Sequence, residues 1–178
     1  KLLYFHVVED PADAMRADDG MRLRATCAKV RPDVVVIDPL GDLLTEDNSD
    51  ADMRRAISST VGAARTGSPD TKPAVVFLHH ARTNAASLAQ AVGWERGNFG
   101  KGSKALAACC RAVVNVAPLT ADGDGGLIVA CGKVNDVRPF EPFAVEYDES
   151  DGRFHIVDGF SVDAWAAAVE GGQPCVKV

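Results

Sequence analysis

Cysteines at metal-ligating spacing are missing from this sequence: Cys27, Cys109, Cys110, Cys131 and Cys175 are its five, and none forms a C-x-x-C. Such spacing marks zinc sites, and an orderly cysteine set in a short chain marks a disulfide framework. Neither is suggested, and cysteines set mostly among apolar neighbours read as reduced core thiols. Long hydrophobic runs are missing too. No apolar stretch approaches the roughly 18 residues a membrane span needs, and no signal-peptide pattern opens the chain. The expectation is a soluble, intracellular, cytoplasmic protein with no membrane partner. Positive charge is scarce: the net charge is -6 and the basic residues are scattered. That argues against a domain whose whole surface binds nucleic acid, and leaves local contact open. Internal repeats and low-complexity tracts are absent. So is an initiator methionine: Lys1 stands in what reads as the middle of a strand, which suggests a piece of something longer.

What is present is enough apolar residue for a core. A chain of 178 residues with 47% hydrophobic content is most simply one domain, spanning 1–178. Leu2 to Val8 reads as a strand closed by Glu9-Asp10-Pro11. Met21, Ala25 and Ala28, with Leu23, Cys27 and Val30, fall at helical spacing and predict a helix from about Gly20 to Val30. Ser49 can cap a second helix, whose apolar positions Met53, Ala56, Ile57, Thr60, Val61 and Ala64 share one face and which Gly67-Ser68-Pro69-Asp70 breaks. Ala74 to Leu78 is a strand. Ala81 to Gly102 is a long polar excursion, partly helical near Ala85 to Ala91 and of a length usually functional or mobile. Ser103 to Cys110 is a short helix and Ala112 to Val116 a strand. The hairpin-type turn 121–126 then leads into the strand Leu127 to Cys131. Phe143 to Tyr147 and Phe154 to Val157 are strands joined by the turn Glu149 to Gly152. Ser161 caps a last helix with Trp165 and Val169 inward, stopped by Gly171-Gly172. Alternation followed by hairpins predicts an α/β fold, its sheet parallel at first and extended by antiparallel strands.

The stretch Arg31-Pro32-Asp33-Val34-Val35-Val36-Ile37-Asp38-Pro39-Leu40 organises this pattern. An apolar run so short, bounded by prolines, reads as a central strand buried on both faces. Asp38 closes it at the carboxyl end, where open α/β sheets bind ligands and where an aspartate can hold magnesium through water beside nucleotide phosphates. The plainer alternative is that Asp38 caps the following loop. Two further strand ends carry polar residues, namely His79-His80 and Lys133-Val134-Asn135.

Taken in series, these residues resemble the RepA-type hexameric ATPases of the RecA-like superfamily. The resemblance runs over about Leu2 to Tyr147. It is carried by Val34 to Leu40 as the Walker B strand, by Phe77-Leu78-His79-His80-Ala81-Arg82 as the histidine motif, by Gly102 to Arg111, and by Gly132-Lys133-Val134-Asn135. It implies a RecA-like, mostly parallel sheet flanked by helices, ATP and Mg2+ as cofactors, and a ring of identical subunits, six in the family, that moves on single-stranded DNA. Asp38 would hold the magnesium through water. His79 or His80 would sense the γ-phosphate or the attacking water, the alternative being a hydrogen-bonded histidine at a strand end. Arg111 matches the arginine finger that reaches a neighbour's nucleotide; a surface arginine favoured at a helix end is the other reading. Lys133 matches a second basic residue of that interface, against a solvated strand-end lysine, and Asn135 falls beside the nucleotide. Arg82, Arg96 and Lys101 would face the pore and touch DNA phosphates.

The departures from the pattern matter as much. No G-x-x-x-x-G-K-[ST] occurs, so the phosphate-cradling loop and its lysine are absent. Gly97-Asn98-Phe99-Gly100-Lys101-Gly102-Ser103 imitates it, with the order wrong and no buried strand before it. Glu9 follows a strand as the family's catalytic glutamate does, but the connection to Asp38 is short, so Leu2 to Val8 is taken as a later strand. The chain then reads as the carboxyl-terminal part of an ATPase core. A RecA-type recombinase, a regulatory ATPase, and a degenerate subunit serving as a scaffold are the alternatives.

Overall fold

A computed structural model describes residues 17–44, 49–81, 89–93, 96–100, 105–120 and 126–170. Leu2 to Val8, Glu9, Arg82, Trp94, Lys101 to Lys104, the turn 121–125, Gly171-Gly172 and Cys175 lie outside these residues. The chain is α/β and divides into two compact units, Lys1–His80 and Ala81–Val178. Among the described residues no helix is long and apolar enough to cross a membrane.

The first unit holds α1 (Ala17–Val30), β1 (Val34–Ile37), a short 3-10 turn (Leu40–Leu43), α2 (Asp50–Gly67) and β2 (Ala74–Phe77). The Ser49 hydroxyl starts α2 by accepting the Asp52 N–H at 3.2 Å, satisfying one of the orphan donors of a first turn. The α2 face predicted from spacing is the buried one: Met53, Ala56, Ile57, Thr60 and Ala64 all lie inside. At its end α2 runs hard against α1. A Cβ built on Gly67 would stand 2.3 Å from the Arg24 carbonyl oxygen, so only glycine permits this approach. Next to it the Ser68 hydroxyl donates to the Cys27 carbonyl at 2.7 Å, and the Arg31 N–H donates to the same oxygen at 2.8 Å. Arg31 takes the left-handed conformation (φ 50) that closes α1.

β1 and β2 pair in parallel, from Val34 opposite Ala74 to Ile37 opposite Phe77. Burial on both faces, expected from the apolar run, is not what this pair has. Val35, Ile37, Val75 and Phe77 are half-buried, whereas Val34 and Val36 are 51% and 57% exposed. A short β-branched run fits the pleat whether one face or two are covered, and its sequence carries nothing to separate these cases.

The second unit is built on β3 (Ala112–Pro118), β4 (Leu127–Val134), β5 (Phe143–Asp148) and β6 (Arg153–Ile156), antiparallel throughout in the order β3-β4-β5-β6. Its helices are α3 (Ala105–Cys109) and α4 (Val162–Glu170), and 3-10 turns lie at Ala89–Ala91 and Arg96–Asn98. Antiparallel pairing therefore predominates among the described strands, rather than the mostly parallel sheet expected. β3 pairs antiparallel with β4, as the hairpin-type turn expected between them implies. Alternation predicts a parallel neighbour only where a crossover returns the chain, and the next connection here is a hairpin. One face of this sheet carries the core. Ile128 opposes Ala117 on β3 and Ala144 on β5, and with Ala91, Phe99, Trp165 and Val169 these residues are buried. Trp165 and Val169 point inward as their spacing on α4 predicts. The Trp165 indole N–H donates to the Leu119 carbonyl at 2.9 Å, satisfying the one polar atom that the ring takes into the core.

Candidate functional site

Parallel pairing puts the carboxyl ends of β1 and β2 at one edge, and with them Asp38 and the His79-His80 pair. The ladder continues past the strands. Leu78 N–H donates to the Ile37 carbonyl at 2.9 Å and the Leu40 N–H to the Leu78 carbonyl at 2.7 Å. Asp38 is thus bracketed on both sides by backbone bonds to one residue. Pro39, joined to it by a cis peptide, has no N–H to offer, and Leu40 supplies the donor in its place. Leu40, wholly buried, anchors the turn that follows. The outcome is an exposed carboxylate on a fixed backbone beside a half-buried His79 and an exposed His80. An exposed carboxylate at such an edge fits a magnesium ion held through water. When bound, that ion would supply charge neutralisation for phosphate oxygens.

The second unit gathers Arg111, Lys133 and Asn135 where α3 ends, β3 begins and β4 ends. Asn135 N–H donates to the Arg111 carbonyl at 3.1 Å. The Arg111 guanidinium forms a two-pronged ion pair with Asp136, its Nε donating at 3.1 Å to Oδ2 and a terminal nitrogen donating to Oδ1. Both partners are well exposed, so this bond holds the side chain with little net stabilisation, about 0–1 kcal/mol. Lys133 is half-buried, and its ammonium donates to the carbonyls of Ala107 at 2.7 Å and Cys110 at 2.9 Å. These carbonyls come at the end of α3, where free acceptors and the negative end of the helix dipole attract a cation. Burial and the neighbouring Cys109 push the Cys110 thiol up against the opposing pull of Lys133, so it stays a protonated thiol. Burial raises Cys27 likewise, as the core-thiol reading requires. The four described cysteines are all free.

Of the three residues expected to touch DNA, Arg82 and Lys101 lie outside the described residues. Arg96 is exposed on its 3-10 turn, and its backbone is held firmly. Asn115, 4% exposed on β3, donates from one amide nitrogen to the Ala91 carbonyl at 2.9 Å and the Arg96 carbonyl at 2.8 Å. Room for that amide comes from Gly132 on β4, where a Cβ would stand 2.8 Å from the Asn115 oxygen. Asn115 is not singled out by the sequence, and Gly132 enters it only as the first residue of the Gly132-Lys133-Val134-Asn135 stretch. The available signal is a lone asparagine inside a β-branched strand, a place where a polar side chain must find partners.

A third cluster also escapes the sequence reading. Asp148, Asp151 and His155 bring their ligand atoms within 4.8 Å of one another at the β5–β6 turn, all exposed. Asp148 accepts the Ser150 N–H at 2.8 Å, Asp151 accepts the Arg153 N–H at 3.0 Å, and the His155 ring stands 2.9 Å from Asp151. The bonds to Ser150, helped by the nearby His155, hold the Asp148 carboxyl below its usual range. The spacing D-x-x-D-x-x-x-H across a predicted turn is the signal that could have found it. No protein-family model matches the chain, and no curated protein matches it.

Proposed function

We propose that this chain supplies the carboxyl edge of the nucleotide site in an ATP-hydrolysing DNA motor of the RepA type, a RecA-like helicase ring acting on single-stranded DNA. The observation that carries the reading is the pairing of β1 with β2. It sets a fixed, exposed Asp38 and two histidines at one sheet edge, where α/β proteins bind nucleotide phosphates. Asp38 then positions magnesium. His79 or His80, at the adjacent strand end, senses the γ-phosphate or the attacking water. Arg111 acts across the subunit boundary, exchanging Asp136 for phosphate charge.

A second reading rests on a different observation. Lys133 is committed to the end of α3 and Arg111 to Asp136, and the sequence has no phosphate loop. A non-hydrolysing subunit that serves as a scaffold would look the same. Hydrolysis by the full-length gene product separates the two. The motor reading expects DNA-stimulated ATP hydrolysis that falls by about two to three orders of magnitude in Asp38→Asn, with the fold intact. Near-normal turnover in that variant would leave Asp38 a capping residue, and a full-length protein without ATPase activity would favour the scaffold.

A further inference from the structure

The β5–β6 hairpin carries different chemistry on its two faces. Side chains alternate along a strand, so the register that sets Tyr147 opposite Phe154 turns Glu146 and His155, also opposite each other, to the other face. Asp148 at the end of β5 and Asp151 in the turn join His155 there. One oxygen from each aspartate and one ring nitrogen of the histidine lie within 4.8 Å of one another, all on exposed residues. Arg153, opposite Asp148, brings a positive charge to the same end of the hairpin. The carboxylates of Glu146, Asp148, Glu149 and Asp151 outweigh it. Glu146, Asp148, Glu149 and His155 also line a hollow of about 330 Å³.

The imidazole separates this cluster from an ordinary acidic turn. Calcium and magnesium prefer a shell of oxygens alone, whereas zinc and its neighbours in the first transition row take imidazole and carboxylate together. Around a tetrahedral zinc with bonds of about 2.0–2.1 Å, the ligand atoms stand roughly 3.3 Å apart. The His155 ring nitrogen and an Asp151 oxygen are already 2.9 Å apart and share a proton, which the ion would replace. Rotation of exposed side chains closes the remaining distance to Asp148. The other oxygens of the pair are held by the backbone, Asp148 accepting the Ser150 N–H and Asp151 the Arg153 N–H, so both carboxylates are oriented and keep lone pairs for an ion. The Ser150 bonds also keep Asp148 ionised. These side chains fill three corners of a tetrahedron, and the hollow beside them has room for water at the fourth.

We propose that Asp148, Asp151 and His155 form a binding site for a divalent transition ion of the zinc type at the β5–β6 turn, with water completing the shell. The site goes beyond the nucleotide reading and does not depend on it, since no step of its test involves ATP. Titration of the isotope-labelled chain with zinc chloride, followed by NMR, should shift the amides of 146–155 and the His155 ring together, and zinc on cysteine thiols would shift other signals instead. His155→Ala should weaken binding at the hairpin about tenfold or more, and so should Asp148→Asn with Asp151→Asn, while Glu141→Gln leaves it unchanged. Calcium chloride should compete poorly in the wild type. His155→Asp makes the set all-oxygen and should abolish the preference for zinc over calcium. The substituted side chains are exposed, and unchanged signals outside the hairpin qualify each variant for the comparison. Hairpin signals that stay in place with zinc in large excess overturn the proposal, as does zinc binding there that survives the loss of His155. Calcium binding as tight as zinc in the wild type overturns it too, and reduces the cluster to an unselective acidic turn.

Discussion

The sharpest stability prediction comes from two glycines in one helix. Gly62 and Gly67 both belong to α2, and the same change to alanine should move stability in opposite directions. At Gly62, exposed and with nothing within 4 Å of a built Cβ, alanine meets no atom. The substitution only removes freedom from the unfolded chain and should stabilise by about 0.5–1 kcal/mol. At Gly67 the new methyl would stand 2.3 Å from the Arg24 carbonyl oxygen and 2.9 Å from the Cys27 Cβ, where ordinary contact begins at 3.4 Å. The shortfall at the oxygen is 3.4 − 2.3 = 1.1 Å. A helix carbonyl cannot swing aside as a side-chain tip can, so α1 and α2 must part. Overpacking of this kind costs about 1–3 kcal/mol, and the Ser68 to Cys27 hydrogen bond beside it, worth about 1 kcal/mol, is disturbed as well. Set against a propensity gain of at most about 1 kcal/mol, the net loss is about 1–3 kcal/mol. Urea unfolding followed by far-UV circular dichroism reads both variants, with midpoints moving apart at unchanged slope. The buried Cys27 thiol gives a second readout, since parting the helices should speed its labelling in Gly67→Ala and leave it unchanged in Gly62→Ala. Equal stabilisation by both alanines would refute the close approach of the helices.

Asn115→Ala removes two donors from carbonyls brought together inside the second unit and should destabilise by about 2–3 kcal/mol. Hydrogen exchange across 89–93 and 96–100 should accelerate in that variant, and unchanged exchange there would mean that Asn115 does not hold this segment. Asp148 bears on acid stability. Its folded pKa is lowered, chiefly by the Ser150 hydrogen bonds, so its contribution is in full force above the ordinary aspartate value and is lost as pH falls through the lower folded one. Asp148→Asn should flatten stability against pH over that acidic window and leave neutral pH nearly unchanged. An acid limb identical to the wild type would count against the turn geometry.

What the sequence discloses and what it conceals follow from how far apart the interacting residues lie. Ser49 as a cap, the α2 face from Met53 to Ala64, the strands Val34 to Ile37 and Ala74 to Phe77, and Trp165 and Val169 on the last helix were all legible, because each depends on spacing within one element. The adjacency of Asp38 to the histidines was legible one step further on, since alternating strands and helices imply parallel neighbours whose ends share an edge. Elsewhere the decisive partner is remote. Lys133 finds the end of α3 at Ala107 and Cys110, and Asn115 finds Ala91 and Arg96, choices that only tertiary structure makes. The exposed faces of β1 and β2 fail for a related reason. A valine run states that burial is affordable and is silent on whether a covering layer exists, and Val34 and Val36 supply the same letters with solvent beside them. The hairpin is the opposite case. Glu146, Asp148, Glu149 and Asp151 read singly as ordinary turn and surface residues, and only the pairing of β5 with β6 sets His155 opposite Glu146 and within reach of Asp148 and Asp151, on the face away from Tyr147 and Phe154. Local pattern therefore reaches the carboxyl edge of β1 and β2 in the first unit and stops short of the hairpin surface, whose chemistry exists only once two strands are paired.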